Sequence, residues 1–416
     1  MNQDTASEKD IFSTNNLAPF LYHKRVKNYF KERKKTWDWF AAQDNKHQQI
    51  ETFKTNLLKN TYRLEAQTHK NLYDLVAEIC TILNIDAQVT LYQEHNSLEL
   101  NASISVFENE AHIVFSGSVI SLLNLEEMKA LLAHELCHYL FYKIENEDFE
   151  VCQRIVLALA NNQESENAMI ETARIFQLYL ELFCDAGALK VCGNYAPVVQ
   201  MLVKLNTSLH EVNAESYINQ AKEIVLNEQK ATQNETHPES YIRSLALYNA
   251  HQKTANFQDI IENLIEGNLD LNTLDIFNQK ELMSLSIDFI QLILKPNWMK
   301  TSKILNLSER YFEHHFNEVN KSAEEISLVF ENCNESVRKY FSYVLLDFAK
   351  VDSDMENLAM GHCFELAEIL NLKTQFENLI KKEFKLNARD FKSLQENVII
   401  ETAKMKESKD ESLYNN

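Results

Sequence analysis

Glycine and proline are nearly missing from this 416-residue chain, which has 5 Gly and 4 Pro; average usage gives roughly 12% for the pair. So few turn-formers exclude a fold of many short strands and tight hairpins, and helices are expected to dominate. No uncharged apolar run reaches about 18 residues, so no transmembrane helix is expected. The first residues also lack the charged, apolar and small-residue succession of a secretory signal. Seven cysteines (80, 137, 152, 184, 192, 333 and 363) are scattered and odd in number, which reads as reduced thiols and not as a disulfide framework. Positive charge is scarce too. The 41 Lys and Arg against 61 Asp and Glu leave a net charge of -20, which excludes a general nucleic-acid binder because phosphate repulsion would go uncompensated. With 45% hydrophobic residues the chain can bury a sizeable core and divide into two or three domains. The expectation is a soluble, cytoplasmic protein without membrane association.

Residues 1–16 are polar and read as disordered, whereas LYHKRVKNYFKERKKTWDWF (21–40) is basic and aromatic. Such a segment can lie on an anionic membrane; the preferred reading is a first helix docked on its own acidic protein through Val26, Phe30, Trp37 and Phe40. A helical pattern runs from roughly 48 to 84. Then the period changes. QVTLYQEH, ELNASISVFE and AHIVFSGSVI are short β-branched and apolar runs, the last two joined by the turn ENEA, and they predict a small antiparallel sheet. From Asn124 onward the pattern is helical, with polar breaks at 161–167 and 226–239, no repeat of fixed period, and a last dozen residues that read as a solvated tail. The expected fold is mainly α (α+β): a leader with a helix over 1–47, a domain carrying the small sheet over 48–255, and an all-helical domain over 256–416.

The run ALLAHELCHYLFYK (130–143) places three polar side chains inside an apolar helical pattern. His134 and His138 are four residues apart, so on a helix both rings project from one face and can share one ion. Neutral imidazoles suit zinc, whose catalytic sites keep three protein ligands and an open position. Glu135, beside the first histidine, can take a proton from a water attacking a carbonyl. In YLELFCDAGAL (179–189), Glu181 and Asp185 again share a helix face in an apolar context, where a carboxylate needs a cation or donor to offset desolvation. Glu181 can complete a His-His-Glu set, and Asp185 can accept the free ring N–H of a ligand histidine.

These residues carry a resemblance. LNASISVFENEAHIVFSGSVISLLNLEEMKALLAHELCH (100–138) resembles the catalytic core of the metalloendopeptidase family that includes the heat-shock protease HtpX and the CAAX prenyl protease. The family's Asn-Ala strand, hairpin into a Gly, acidic helix start and HExxH match Asn101-Ala102, Gly117, Glu126-Glu127 and His134 to His138. Its Glu-x-x-Ala-Asp signature is similar to ELFCD, with Cys184 in the Ala place, and its Thr-His-Pro segment is similar to THPESYIRSLAL (236–247). Cys137 stands where the family usually has Gly, and Leu178 where many members have Arg. The resemblance implies a zincin-like gluzincin domain with one Zn2+ per chain on His134, His138 and Glu181, and Glu135 as proton shuttle. It also implies a protein or peptide substrate extended along a strand near Asn101 to Val106. His237 and Arg243 are candidates for oxyanion stabilisation or for a gate. Cys137 and Cys184 flank the site and read as packing residues in preference to a redox pair.

The C-terminal region contains no catalytic constellation. His314 and His315 are adjacent, point to different sides of a helix and read as solvated. YVLLDFAKVDSDMENLAMGHCFELAEILNL (343–372) resembles the start of TerB-like helical domains, with a TerB-like part expected from about 320 to 400. There Asp352, Asp354 and Glu356 can hold a divalent cation, but a capped helix start is the preferred reading. Two functions are compatible with these features. One is a zinc metalloendopeptidase whose helical C-terminal region regulates it or recruits substrate, which the intact Glu135 favours. The other is a non-proteolytic, zinc-containing binding protein that acts through the TerB-like part. The sequence specifies no oligomeric state.

Overall fold

The structure is a computed structural model and describes residues 17–42, 46–162, 166–227, 230–255, 257–312 and 321–408. The polar leader 1–16, His314 and His315, and the end of the tail lie outside the described residues. The chain falls into two compact units, Met1–Gly267 and Asn268–Asn416.

In the first unit α1 (Leu21–Lys31), α2 (Lys34–Ala41) and α3 (Lys46–Asn60) lead into β1 (Thr61–Arg63). Then come α4 (Lys70–Leu83), β2 (Gln88–Glu94), β3 (Asn101–Phe107), β4 (Glu110–Ser116) and α5 (Val119–Leu122). The unit continues with α6 (Leu125–Lys143), α7 (Asp148–Ala160), α8 (Asn167–Cys192) and α9 (Tyr195–Thr207), and closes with α10 (Ala214–Asn227), α11 (Ser240–Gln252) and α12 (Phe257–Ile265). The molecule is mainly helical, as the scarcity of turn-formers requires. β1 interrupts the continuous helical stretch expected over 48–84. Three residues are too few to show a two-residue alternation, and this strand exists because it pairs with β2.

The sheet order is β1-β2-β4-β3. The expectation of an antiparallel sheet is corrected here, because β2 and β4 run parallel while β1–β2 and β3–β4 are antiparallel. The β3–β4 hairpin turns so that β4 lies between β2 and β3, and a strand's residue pattern carries no information about its direction. The outcome that matters is that β3 becomes a free edge. After β4 the chain turns at Gly117, whose φ is +63° and where a Cβ would stand 2.6 Å from the carbonyl oxygen of Glu99.

Helices α6 and α8 pack on each other at the centre, and most of their residues on every side are buried, as in helices covered all round. α6 starts in a capping box: Asn124 accepts from the Glu127 backbone N at 3.0 Å, and the Asn124 backbone N donates to the Glu127 carboxylate at 2.9 Å. Lys204 of α9 donates to the same carboxylate at 2.8 Å. The single docked helix expected over 21–40 is two helices: α1 packs on α7 and α8 with Val26 and Phe30 buried and Lys27 and Lys31 paired to Glu145 and Asp148, while Trp37 and Phe40 lie half-buried on α2, which packs on α7. α12 belongs to this unit, since Tyr179 donates to Glu266 at 2.6 Å and the Thr232 N–H bonds the Leu264 carbonyl at 2.8 Å.

The second unit comprises α13 (Ile276–Ile293), α14 (Ser302–Tyr311), α15 (Ala323–Asn332), α16 (Glu335–Lys350), α17 (Glu356–Ile369), α18 (Lys373–Glu383) and α19 (Ala388–Ser408). It has its own core, with Phe289, Phe330, Phe341, Phe348 and Phe376 fully buried. The expected capped start of α17 is corrected: Met355 is the N-cap and makes no side-chain bond. Asp352 and Asp354 instead receive Lys303 at 2.9 and 3.1 Å, so an ammonium takes the place considered for a divalent cation. Among the described residues, no helix is long and apolar enough to cross a membrane.

Candidate metal centre

α6 carries His134, Glu135 and His138, α8 carries Glu181, Cys184 and Asp185, and α11 carries Arg243; His237 precedes α11. The structure brings all of these into one region of the first unit. The Glu181 carboxylate approaches three ring nitrogens: His134 Nε2 at 3.3 Å, His138 Nε2 at 3.6 Å and His237 Nε2 at 3.5 Å. Atoms bound about 2.0–2.1 Å from one tetrahedral ion stand roughly 3.3–3.4 Å apart, so these separations match ligands around a common centre. The fit has a second support: Glu181 Oε2 is buried and has no hydrogen-bond partner, a deficit that a cation removes. His237 remains open, with its side chain 57% exposed.

Behind the cluster His134 Nδ1 lies 3.0 Å from Asp185 Oδ1, and Arg243 grips Asp185 with Nε on Oδ2 and Nη2 on Oδ1, both at 2.7 Å. Asp185 is wholly buried, and the planar guanidinium meets both its oxygens. Arg243 Nη2 also stands 3.5 Å from Glu181 Oε2. With Asp185 and Arg243 cancelling each other, the remaining donors are Glu181 and two imidazoles, a set suited to a dication.

Electrostatics follow from burial and these pairs. Burial opposes charge on His134, but the hydrogen bond to Asp185 and the nearby Glu181 carboxylate outweigh it and push the imidazole up to about 10. Burial brings His138 down to about 4. Burial also raises Glu135 to about 7, with the Glu181 charge adding to it and His134 and Arg243 opposing. For Glu181 burial is outweighed by His134, His138 and Arg243, which hold the carboxylate well below its usual range.

Cys184 is a donor that the spacing argument passed over in favour of packing. Its sulfur lies with ligand nitrogens of His134 and His138 in a group whose atoms are all within 4.8 Å of one another. Cys184 and Glu181 are therefore rival third donors. Burial pushes the thiol far above its ordinary pKa, so Cys184 is a neutral, weak donor beside an ionised Glu181. Tyr142, one turn beyond His138 on the same face of α6, also lines the site; its spacing from the histidines is the signal that could have found it.

A cavity of 720 Å³ opens in front of the cluster. One wall is β3 over Asn101–Ile104 and another is α9 with Met201, Leu202 and Leu205. The Ala102 N–H is held by its neighbour's Asn101 Oδ1 at 2.9 Å. The histidine helix and the glutamate helix approach closely at Gly187, where an added Cβ would stand 2.0 Å from Cys137 Sγ. The sulfur that stands in HELCH thus fills the space that Gly187 leaves.

No family profile matches the chain, and no solved structure matches it. It is 29% identical over 161 residues to plastoglobule-localized metallopeptidase 48, chloroplastic, of Arabidopsis thaliana, a match that covers 36% of this chain and 46% of that protein. The chain spans about half the length of this curated relative. It is thus distantly similar to a metallopeptidase over about a third of its residues, and it carries a candidate metal site at His134, His138 and Cys184, with Glu181 among them.

Proposed function

We propose that this protein is a zinc-dependent metalloendopeptidase. The observation that carries the reading is Glu181, whose carboxylate meets the Nε2 atoms of both HELCH histidines at 3.3 and 3.6 Å while its buried Oε2 lacks a donor. His134, His138 and Glu181 would hold one Zn2+, and Asp185 accepts the His134 Nδ1 proton, fixing the tautomer that turns Nε2 to the site. Arg243 positions Asp185. When bound, the ion supplies polarisation of the scissile carbonyl and acidification of water. Glu135 takes a proton from the attacking water and hands it to the leaving amine, a task suited to a carboxyl raised to about 7. The substrate pairs as an extended strand with the β3 edge, which lines the cavity at Asn101–Ile104. His237 faces the substrate side as an oxyanion donor or a gate. The second unit, TerB-like in its α16–turn–α17 order, recruits substrate or regulates, and the protein acts in the cytoplasm.

Cys184 supports a second reading, a structural His-His-Cys zinc site in a non-proteolytic protein. Zinc content and casein cleavage separate the two. Glu135→Gln is expected to keep about one zinc per chain and lose proteolysis; metal lost together with activity rejects Glu135 as base. Glu181→Ala is expected to lose most of the zinc and Cys184→Ala to keep it. The reverse result, with no casein cleavage by the wild type, establishes the structural site.

A further inference from the structure

Glu127, Leu131 and Glu135 follow one another at four-residue intervals along one face of α6, about 6 Å apart along its axis. The first of them is tied to another helix. Lys204, the single charged residue of α9, donates to the Glu127 carboxylate at 2.8 Å, and both side chains are buried. Separating a buried pair leaves an uncompensated charge, so α9 is held against the first turns of α6. The last of the three is the carboxyl that the peptidase reading uses as a base. Leu131 stands between them and lines the 720 Å³ cavity.

That anchoring decides what α9 brings to the cavity. Met201, Leu202 and Leu205 share a face of the helix by their spacing and all line the cavity, Met201 and Leu202 buried and Leu205 half-buried. With Lys204 committed to Glu127, no charged side chain of α9 lines it. The neighbouring polar residue, Asn206, is committed as well: its Nδ2 donates to the Leu202 carbonyl at 3.1 Å and to Ser240 Oγ at 2.6 Å, which ties the end of α9 to the start of α11. This wall of the cleft is therefore apolar and held from two sides. Apolar surface in a wet cleft is unfavourable, and an apolar side chain that enters recovers that free energy.

We propose that Leu131, Met201, Leu202 and Leu205 form the subsite for a large apolar side chain of the substrate, that of the residue supplying the leaving amine. The inference deepens the peptidase reading and rests on it for this assignment. Glu135 returns its proton to the leaving amine, and Leu131 is its neighbour one turn away on the same face of α6, so the side chain beside that amine is the one within reach of the apolar wall. Leu205, the least buried of the four, sets the size that is accepted. An acidic side chain gains nothing there, since it would give up its hydration and meet no cation of α9.

The test uses the full chain loaded with zinc and a peptide set identical except for Ala, Leu, Phe or Asp at successive positions around the cleavage point. Directly after the scissile bond, Leu or Phe over Ala is expected to raise kcat/KM by about 10- to 100-fold, the range for methylenes entering an apolar pocket. Leu205→Trp fills the pocket and should bring that ratio to near unity, whereas Leu205→Ala enlarges it and should move the preference from Leu to Phe. Fluorescence anisotropy with the Glu135→Gln protein gives a readout independent of turnover: the Leu peptide binds more tightly than the Ala peptide, and Leu205→Trp erases the difference. Casein cleavage with no apolar preference at that position overturns the subsite and leaves the peptidase. A binding preference that depends on Leu205, in a protein that cleaves nothing, keeps the subsite and removes the peptidase. A preference that neither Leu205 variant alters overturns the proposal.

Discussion

The ring of His23 lies in α1, fully buried beside Phe141 and Phe176 with centroids 4.8 and 4.6 Å away, and its Nε2 meets the Phe176 carbonyl at 3.0 Å. Nδ1 has no partner, so the residue is a neutral imidazole with one satisfied donor. Burial lowers it to about 3 from 6.5, the hydrogen bond opposing only in part. The unfolded chain takes up a proton below pH 6.5 that the folded chain refuses until about pH 3, so stability is full above 6.5 and is lost between those values. Each pH unit in this window removes about 1.4 kcal/mol. His23→Leu is expected to weaken the protein at pH 7.5 yet flatten its stability between pH 6 and 4.5, as read by urea unfolding at each pH. An unchanged slope assigns the acid sensitivity to the carboxylates instead. His237 offers a different test, because Pro238 stiffens the turn that presents it. Its nitrogen is as close to Glu181 as those of His134 and His138 are, which favours the gate. His237→Ala is then expected to raise kcat/KM on a short peptide about 3- to 10-fold, roughly 0.7–1.4 kcal/mol. A fall of about 100-fold would identify an oxyanion donor.

The distance between α6 and α8 decides whether their donors meet, and Gly187 sets it through its 2.0 Å clearance problem with Cys137 Sγ. Gly187→Ala is expected to destabilise by about 1–3 kcal/mol, the usual penalty for overpacking, and to weaken zinc binding with it. Cys137→Gly in the same chain should restore much of both, measured by thermal unfolding and metal titration; additive losses would show that the two residues do not share the contact. Helical spacing made it legible in advance that His134 and His138 share a face, as do Glu181 and Asp185, because a 3.6-residue period is strong in long apolar segments. That spacing is silent about depth of approach, and so Cys184, three residues from Glu181, passed for filler although its sulfur reaches the histidines. β1 was hidden because three residues show no alternation, and the parallel pairing of β2 with β4 because direction leaves no mark on composition. Asp352 and Asp354 read as a helix cap, with a cation site as the alternative, because their actual partner, Lys303, lies 49 residues upstream of Asp352.

Two units with separate cores make the whole molecule divisible. A fragment ending at Gly267 retains α12 with its Tyr179–Glu266 bond, and it is expected to fold, bind zinc and cleave a short generic peptide while failing on the physiological substrate. Aggregation or loss of metal in that fragment would show that the second unit completes the first. For the molecule as a charged body, the ion pairing at His134 has a thermodynamic consequence. With its pKa raised to about 10, that imidazole holds a proton at neutral pH in the metal-free chain, and a dication must expel it to reach the nitrogen. Loading one dication therefore changes the net charge by about one unit and not two. Its calorimetric heat should depend linearly on the ionisation enthalpy of the buffer, with a slope near one proton at pH 7.5 that declines as the pH approaches 10.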